Sequence, residues 1–113
     1  MKTTLCIPLA ALAFSLMASN ANASTVLGAI SCEQWQLSQN KPDDRAAYTI
    51  WLNGYLSGAN FMYGDMVDRD FIKNPDKISI VDWTGVYCDK HPKSMLQDSA
   101  NALIKLLKRD LPF

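Results

Sequence analysis

Ala46-Ala47-Tyr48-Thr49-Ile50-Trp51-Leu52-Asn53-Gly54-Tyr55-Leu56-Ser57-Gly58-Ala59-Asn60-Phe61-Met62-Tyr63-Gly64 contains no charged residue. Two apolar stripes run through it at helical spacing. Ala47, Ile50, Gly54, Gly58 and Phe61 make one, and Tyr48, Leu52, Tyr55, Ala59 and Met62 make the other, because residues three and four apart share a face of an α-helix. The predicted helix is therefore apolar around most of its circumference, and such a helix needs neighbours on several sides. Gly54 and Gly58 lower helix propensity but strip bulk from one face, so close packing of another backbone is expected there.

Working outward, Asn40-Lys41-Pro42-Asp43-Asp44 reads as a turn in which Pro42 disfavours helix at Lys41, and Asp43 or Asp44 caps a long helix over 45–64. Before the turn, a short helix over 32–38 is expected behind a Ser31 cap, with Glu33 in its first turn and Cys32 and Trp35 on its buried face. Residues 24–30 are small and mixed and read as an extended arm. On the other side, residues 65–77 carry both charge signs and Pro75, and read as a loop with a short helical turn around 68–72. Ile78, Val81, Trp83, Val86, Tyr87 and Cys88 supply a third helix of about three turns, with strand as the alternative at Ile80-Val81, stopped by His91-Pro92. Ser94 then starts a fourth, with Leu96, Ala100, Leu103, Leu107 and Leu111 on one face and Lys105, Lys108 and Arg109 near its negative end. The expected fold is all-α: a small orthogonal bundle of about four helices closed by one disulfide.

The start of the chain reads as an export signal. Met1-Lys2 is followed by an uncharged apolar run from Leu5 to Ala18 and by Ala21-Asn22-Ala23, which predicts cleavage before Ser24 and delivery to the periplasm. The run is too short to span a bilayer core about 30 Å thick, and the mature chain is expected to carry no membrane anchor. Removing residues 1–23 from 113 leaves a single domain over 24–113, 90 residues long. Ten of the 11 Lys and Arg residues then face 11 acidic ones, a balance with no basic patch for nucleic acid. Of three cysteines, Cys6 leaves with the signal. Cys32 and Cys88 are expected to pair in an oxidising compartment, and closing so long a loop is worth about 4 kcal/mol.

Few residues suggest chemistry. Cys88 with His91 three positions on has the form of a nucleophile and base, but the thiol is expected to be oxidised. Zinc on Cys32, Cys88 and His91 lacks a fourth ligand, since the chain has one histidine. Asp65, Asp68, Asp70 and Asp76 depart from the spacing of a calcium loop and read as solvated charge. Ser57 in Gly-Tyr-Leu-Ser-Gly is not a nucleophile elbow. The sequence thus predicts no enzyme and no cofactor. Binding surface remains: Trp51, Tyr55, Met62 and Tyr63 are candidates to face a protein partner, the alternative being that these side chains simply form the core.

Ser31-Cys32-Glu33-Gln34-Trp35, the central aromatic helix, and Tyr87-Cys88-Asp89-Lys90-His91-Pro92 leading into an amphipathic helix resemble the HdeA/HdeB family of small periplasmic acid-stress chaperones over most of the mature chain. The resemblance implies a helical fold with Cys32 joined to Cys88, a homodimer at neutral pH, and acid-triggered exposure of apolar surface that holds unfolded clients. The helix-rich plan and the His-Pro entry into the last helix are also similar to the Rap1a/Tai immunity proteins. That second resemblance implies an inhibitor of a secreted cell-wall hydrolase.

Overall fold

Four α-helices organise the described part, residues 26–109, of the structure, which is a computed structural model. They are α1 (Cys32–Leu37), α2 (Pro42–Val67), α3 (Ile80–Lys90) and α4 (Leu96–Arg109). The fold is all-α and closed by the Cys32–Cys88 disulfide. The segment over 1–23 expected to be an export signal, and Leu111, lie outside the described residues.

Helix α1 begins as the sequence predicts. Ser31 and Gln34 form a reciprocal capping box: the Gln34 N–H donates to Ser31 Oγ at 3.0 Å and the Ser31 N–H to Gln34 Oε1 at 2.8 Å. The helix ends at Leu37 and tightens into a 3-10 turn over Ser38–Asn40.

The start of α2 corrects the expected turn at 40–44. Pro42 is itself the first helical residue, because its fixed φ suits helix and its missing N–H has no helical partner at that position anyway. Asp43 and Asp44 then lie in the first turn, where the helix dipole favours anions. The helix also continues past Gly64 to Val67 and stops at Asp68, which takes a left-handed conformation (φ 52°) and donates its N–H to Gly64 C=O at 2.8 Å. The helical turn expected around 68–72 is absent. Phe71 is instead drawn into the core, 3% exposed, with its N–H bonded to Asn60 Oδ1 at 2.9 Å. A 3-10 turn forms later, over Pro75–Lys77.

Ser79 caps α3 through the Asp82 N–H, so this helix starts at Ile80 rather than Ile78. Helix α4 starts at Leu96 rather than Ser94 because the segment before it is held by the arm. The Cys32 N–H donates to Ser94 C=O at 2.9 Å, the Leu96 N–H to Ile30 C=O at 2.8 Å, and Ser31 and Met95 form an isolated antiparallel bridge. Asp98 then accepts the Met95 N–H at 2.9 Å.

The core gathers Trp35, Leu52, Leu56, Phe71, Ile80, Leu96, Ala100, Leu103 and Ile104 around the disulfide. Cys32 and Cys88 are both wholly buried, with Cα atoms 5.1 Å apart. The bond fastens α1 to α3. Arg45 fastens α2 to the end of α1: its guanidinium stacks 3.9 Å above the Trp35 ring, donates to Trp35 C=O at 2.9 Å, and donates from Nε to Ser38 Oγ at 2.9 Å. At the far end of α2, Lys108 of α4 sits 4.3 Å over Tyr63, whose ring tilts against Phe71 at 5.6 Å. Both ends of the long helix are thus tied down, and its inner face is set.

Candidate functional site

The inner face of α2 is the stripe with larger side chains. Leu52 is fully buried and Leu56 nearly so, while Tyr48, Tyr55 and Ala59 are half-buried against the core. The other stripe points away from α1, α3 and α4. Ile50 is 72% exposed and Phe61 73%, and Ala47, Gly54, Ser57 and Gly58 are exposed between them. Ile50, Gly54, Ser57 and Phe61 follow one another at spacings of four, three and four along one line of the helix.

The two glycines correct an expectation. Among the described residues, a Cβ added at Gly54 or at Gly58 would meet no heavy atom within 4 Å, so neither lets α1, α3 or α4 approach. The small-residue stretch lies open on the outer face. It is flanked by a large apolar side chain at each end.

Among the four residues proposed from sequence to face a partner, three are engaged within the chain. The Trp51 indole stacks on Tyr55 with ring centroids 5.3 Å apart and donates its Nε1–H to Leu27 C=O at 3.2 Å. The arm passes over it at Gly28, whose φ of +66° lies in the left-handed region that favours glycine. Tyr55 donates its hydroxyl to Asn101 Oδ1 at 2.9 Å, linking α2 to α4. Tyr63 lies in the cluster with Phe71 and Lys108. Met62 is 58% exposed and borders the outer face. Sequence reasoning did not single out Ile50 and Phe61 as contact residues. They carry no polar tip, and that was the available signal: Trp51, Tyr55 and Tyr63 have groups that find partners inside a domain.

The other candidate chemistry does not assemble. Cys88 is committed to the disulfide, and the His91 ring packs on Tyr87 at 4.5 Å. Asp65, Asp68 and Asp70 line a shallow depression together with Arg69 and Phe61. Among the described residues no group of three or more His, Cys, Asp or Glu side chains is placed to hold a metal ion. None of the described helices is long and apolar enough to cross a membrane. A second apolar notch lies between α3 and α4, lined by Trp83, Val86, Tyr87 and Ala102 with Lys90 and His91 at its rim.

No family model, no curated protein and no solved structure matches the chain.

Proposed function

We propose that the protein is a non-enzymatic periplasmic binding protein of the HdeA/HdeB type, a holdase that takes apolar segments of unfolding clients onto the outer face of α2. One observation carries the reading. A surface helix of a folded domain is normally apolar on one side and charged on the other, whereas α2 exposes Ile50, Phe61 and Met62 on a side with no charge from Ala46 to Gly64. Large apolar side chains exposed on an uncharged helix face support an interaction site.

Acid supplies a trigger. Near pH 2 to 3 carboxylates are protonated. The ten basic side chains of the mature chain and His91 then give about +11, and self-repulsion loosens the packing. The Cys32–Cys88 bond keeps α1 on α3 while this happens, and α2 lies inside the closed loop. Apolar surface opens while the chain stays tethered.

The test is light scattering from two unrelated client proteins taken to about pH 2.5, where carboxylates are protonated, with and without this protein. Suppression of both, and its loss when Ile50 and Phe61 are replaced by Ser, supports the reading. No suppression, with a single saturable complex to one hydrolase at neutral pH, would replace it with the inhibitor reading.

A further inference from the structure

We infer that the notch between α3 and α4 binds a small aromatic carboxylate, with its ring against Trp83 and Tyr87 and its carboxylate on Lys90. Among the described residues none from α2 lines the notch, so the inference goes beyond the assignment of the α2 outer face and does not rest on it.

The notch is apolar because the polar group of its largest side chain is used elsewhere. Trp83 donates its Nε1–H to Ser99 C=O at 2.9 Å, and an indole has no second polar group, so it offers the notch only carbon. Val86 from α3 and Ala102 from α4 add methyl groups. Tyr87 supplies a second aromatic wall. The His91 ring, tilted at 37° with its centroid 4.5 Å from that of Tyr87, extends this wall toward the end of α3. Such walls favour a flat aromatic guest, which they meet in an offset stack or edge to face. The cavity holds about 260 Å³, just below the roughly 300–1,000 Å³ of sites that enclose drug-sized ligands. That is room for one ring and a short chain.

Charge decides the other end of the guest. Lys90, exposed in the last turn of α3, lines the notch, and among the described residues no carboxylate does. Among the same residues no ion pair or hydrogen bond engages its ammonium. The acids nearby are turned to other work: Asp98 of α4 lies in the adjoining depression with Lys105 and accepts the Met95 N–H at 2.9 Å, and Asp89 Oδ1 is 3.4 Å from Gln36 Nε2 of α1. The negative end of α3 opposes an anion, but its carbonyls are partly satisfied. Tyr87 C=O accepts the His91 N–H at 2.8 Å, and Cys88 C=O accepts from Gln36 Nε2 at 3.4 Å. An aromatic-walled notch with an unengaged ammonium at its rim matches a guest that is a ring at one end and an anion at the other.

Hydrocinnamate is the probe, titrated into the disulfide-bonded protein at neutral pH while the amide and indole NMR shifts are followed. So small a guest in a half-open notch should bind with a dissociation constant on the order of 1 mM, which a titration to about 20 mM brackets. Saturable shifts of the Trp83 indole N–H and of the Val86 and Ala102 amides are expected. Hydrocinnamyl alcohol keeps the ring and loses the charge, and should bind about fivefold more weakly. Lys90→Gln should bring hydrocinnamate down to the level of the alcohol. Ala102→Leu, a substitution that helix propensity tolerates, should fill the notch and abolish the shifts. Lys90 is exposed, so its variant should keep the wild-type melting temperature and decides the matter even where Ala102→Leu disturbs packing. Shifts that do not saturate, equal binding of acid and alcohol, unchanged binding in Lys90→Gln, or shifts confined to α2 would each overturn the inference. Client holding on α2 is measured separately, in acid, and neither result alters the other.

Discussion

Replacing Arg45 tests how α2 is oriented, because this one side chain sets the N-terminal end of the helix on α1. Its guanidinium makes two charge-assisted hydrogen bonds, to Trp35 C=O and Ser38 Oγ, and stacks on the Trp35 ring. Each such bond contributes about 1.5 kcal/mol and the stacking about 0.5–1 kcal/mol at a half-exposed site. Two effects reduce the sum in Arg45→Ala. Trp35 C=O keeps the Ser38 hydroxyl as a donor at 2.6 Å, and Arg45 is only half-buried, so water replaces part of what is lost. The expected net destabilisation is about 2 kcal/mol, equivalent to about 10 °C in melting temperature for a domain of this size. Arg45→Lys keeps the charge but not the planar fork, and should lose about half as much. Urea unfolding followed by circular dichroism, with the disulfide intact, measures both, and the slope should stay unchanged. An Arg45→Ala variant within about 0.5 kcal/mol of wild type, the range of an ordinary surface substitution, would refute the reasoning.

Other substitutions follow from the same contacts. Among the described residues Thr84 Oγ1 and Ser99 Oγ are buried without a hydrogen-bond partner, so Thr84→Val and Ser99→Ala should each raise stability by about 1 kcal/mol; a lowered melting temperature in both would show that those hydroxyls are satisfied. Asp68 holds a left-handed helix cap, and Asp68→Gly should stabilise by about 0.5–1 kcal/mol, measured in the same melts. Replacing both Cys32 and Cys88 by Ser should cost about 2–5 kcal/mol, and in acid the variant should lose the ability to keep clients in solution.

The helices were legible where periodicity and punctuation agreed. Ser31, His91-Pro92 and the leucine face of the last helix each mark one end or one side. The turn before α2 was misread because Pro42 carries two meanings, one for the residue before it and one for its own place in a first turn, and Asp43 and Asp44 fit either. The loop after α2 hid a core residue. Phe71 stands among Asp68, Arg69, Asp70 and Lys73, and only the fold shows that Lys108 covers it, 5.6 Å from its ring.

Which side of α2 turns inward could not be read from the sequence, because both stripes are apolar. Size decided it: Leu52 and Leu56 fill core volume that Gly54 and Gly58 cannot. The glycines looked like sites of close packing, and they face open space instead. For Trp51 and Tyr55 the sequence left both core and partner open, and the structure uses their polar tips inside the chain, on Leu27 and Asn101. What remained for the outside were the side chains with nothing to bond.

Photo-crosslinking tests the role of that outside most directly. A photoreactive residue placed at Phe61 on the outer face of α2 is compared with one at Val86 on α3, an apolar position that is also exposed, at 56% against 73% for Phe61. Irradiation is carried out with an unfolding client at about pH 2.5, where carboxylates are protonated. Capture of client from position 61 and little from position 86 is the predicted result. Equal capture from both positions, or capture from 86 alone, would contradict the assignment of the α2 outer face.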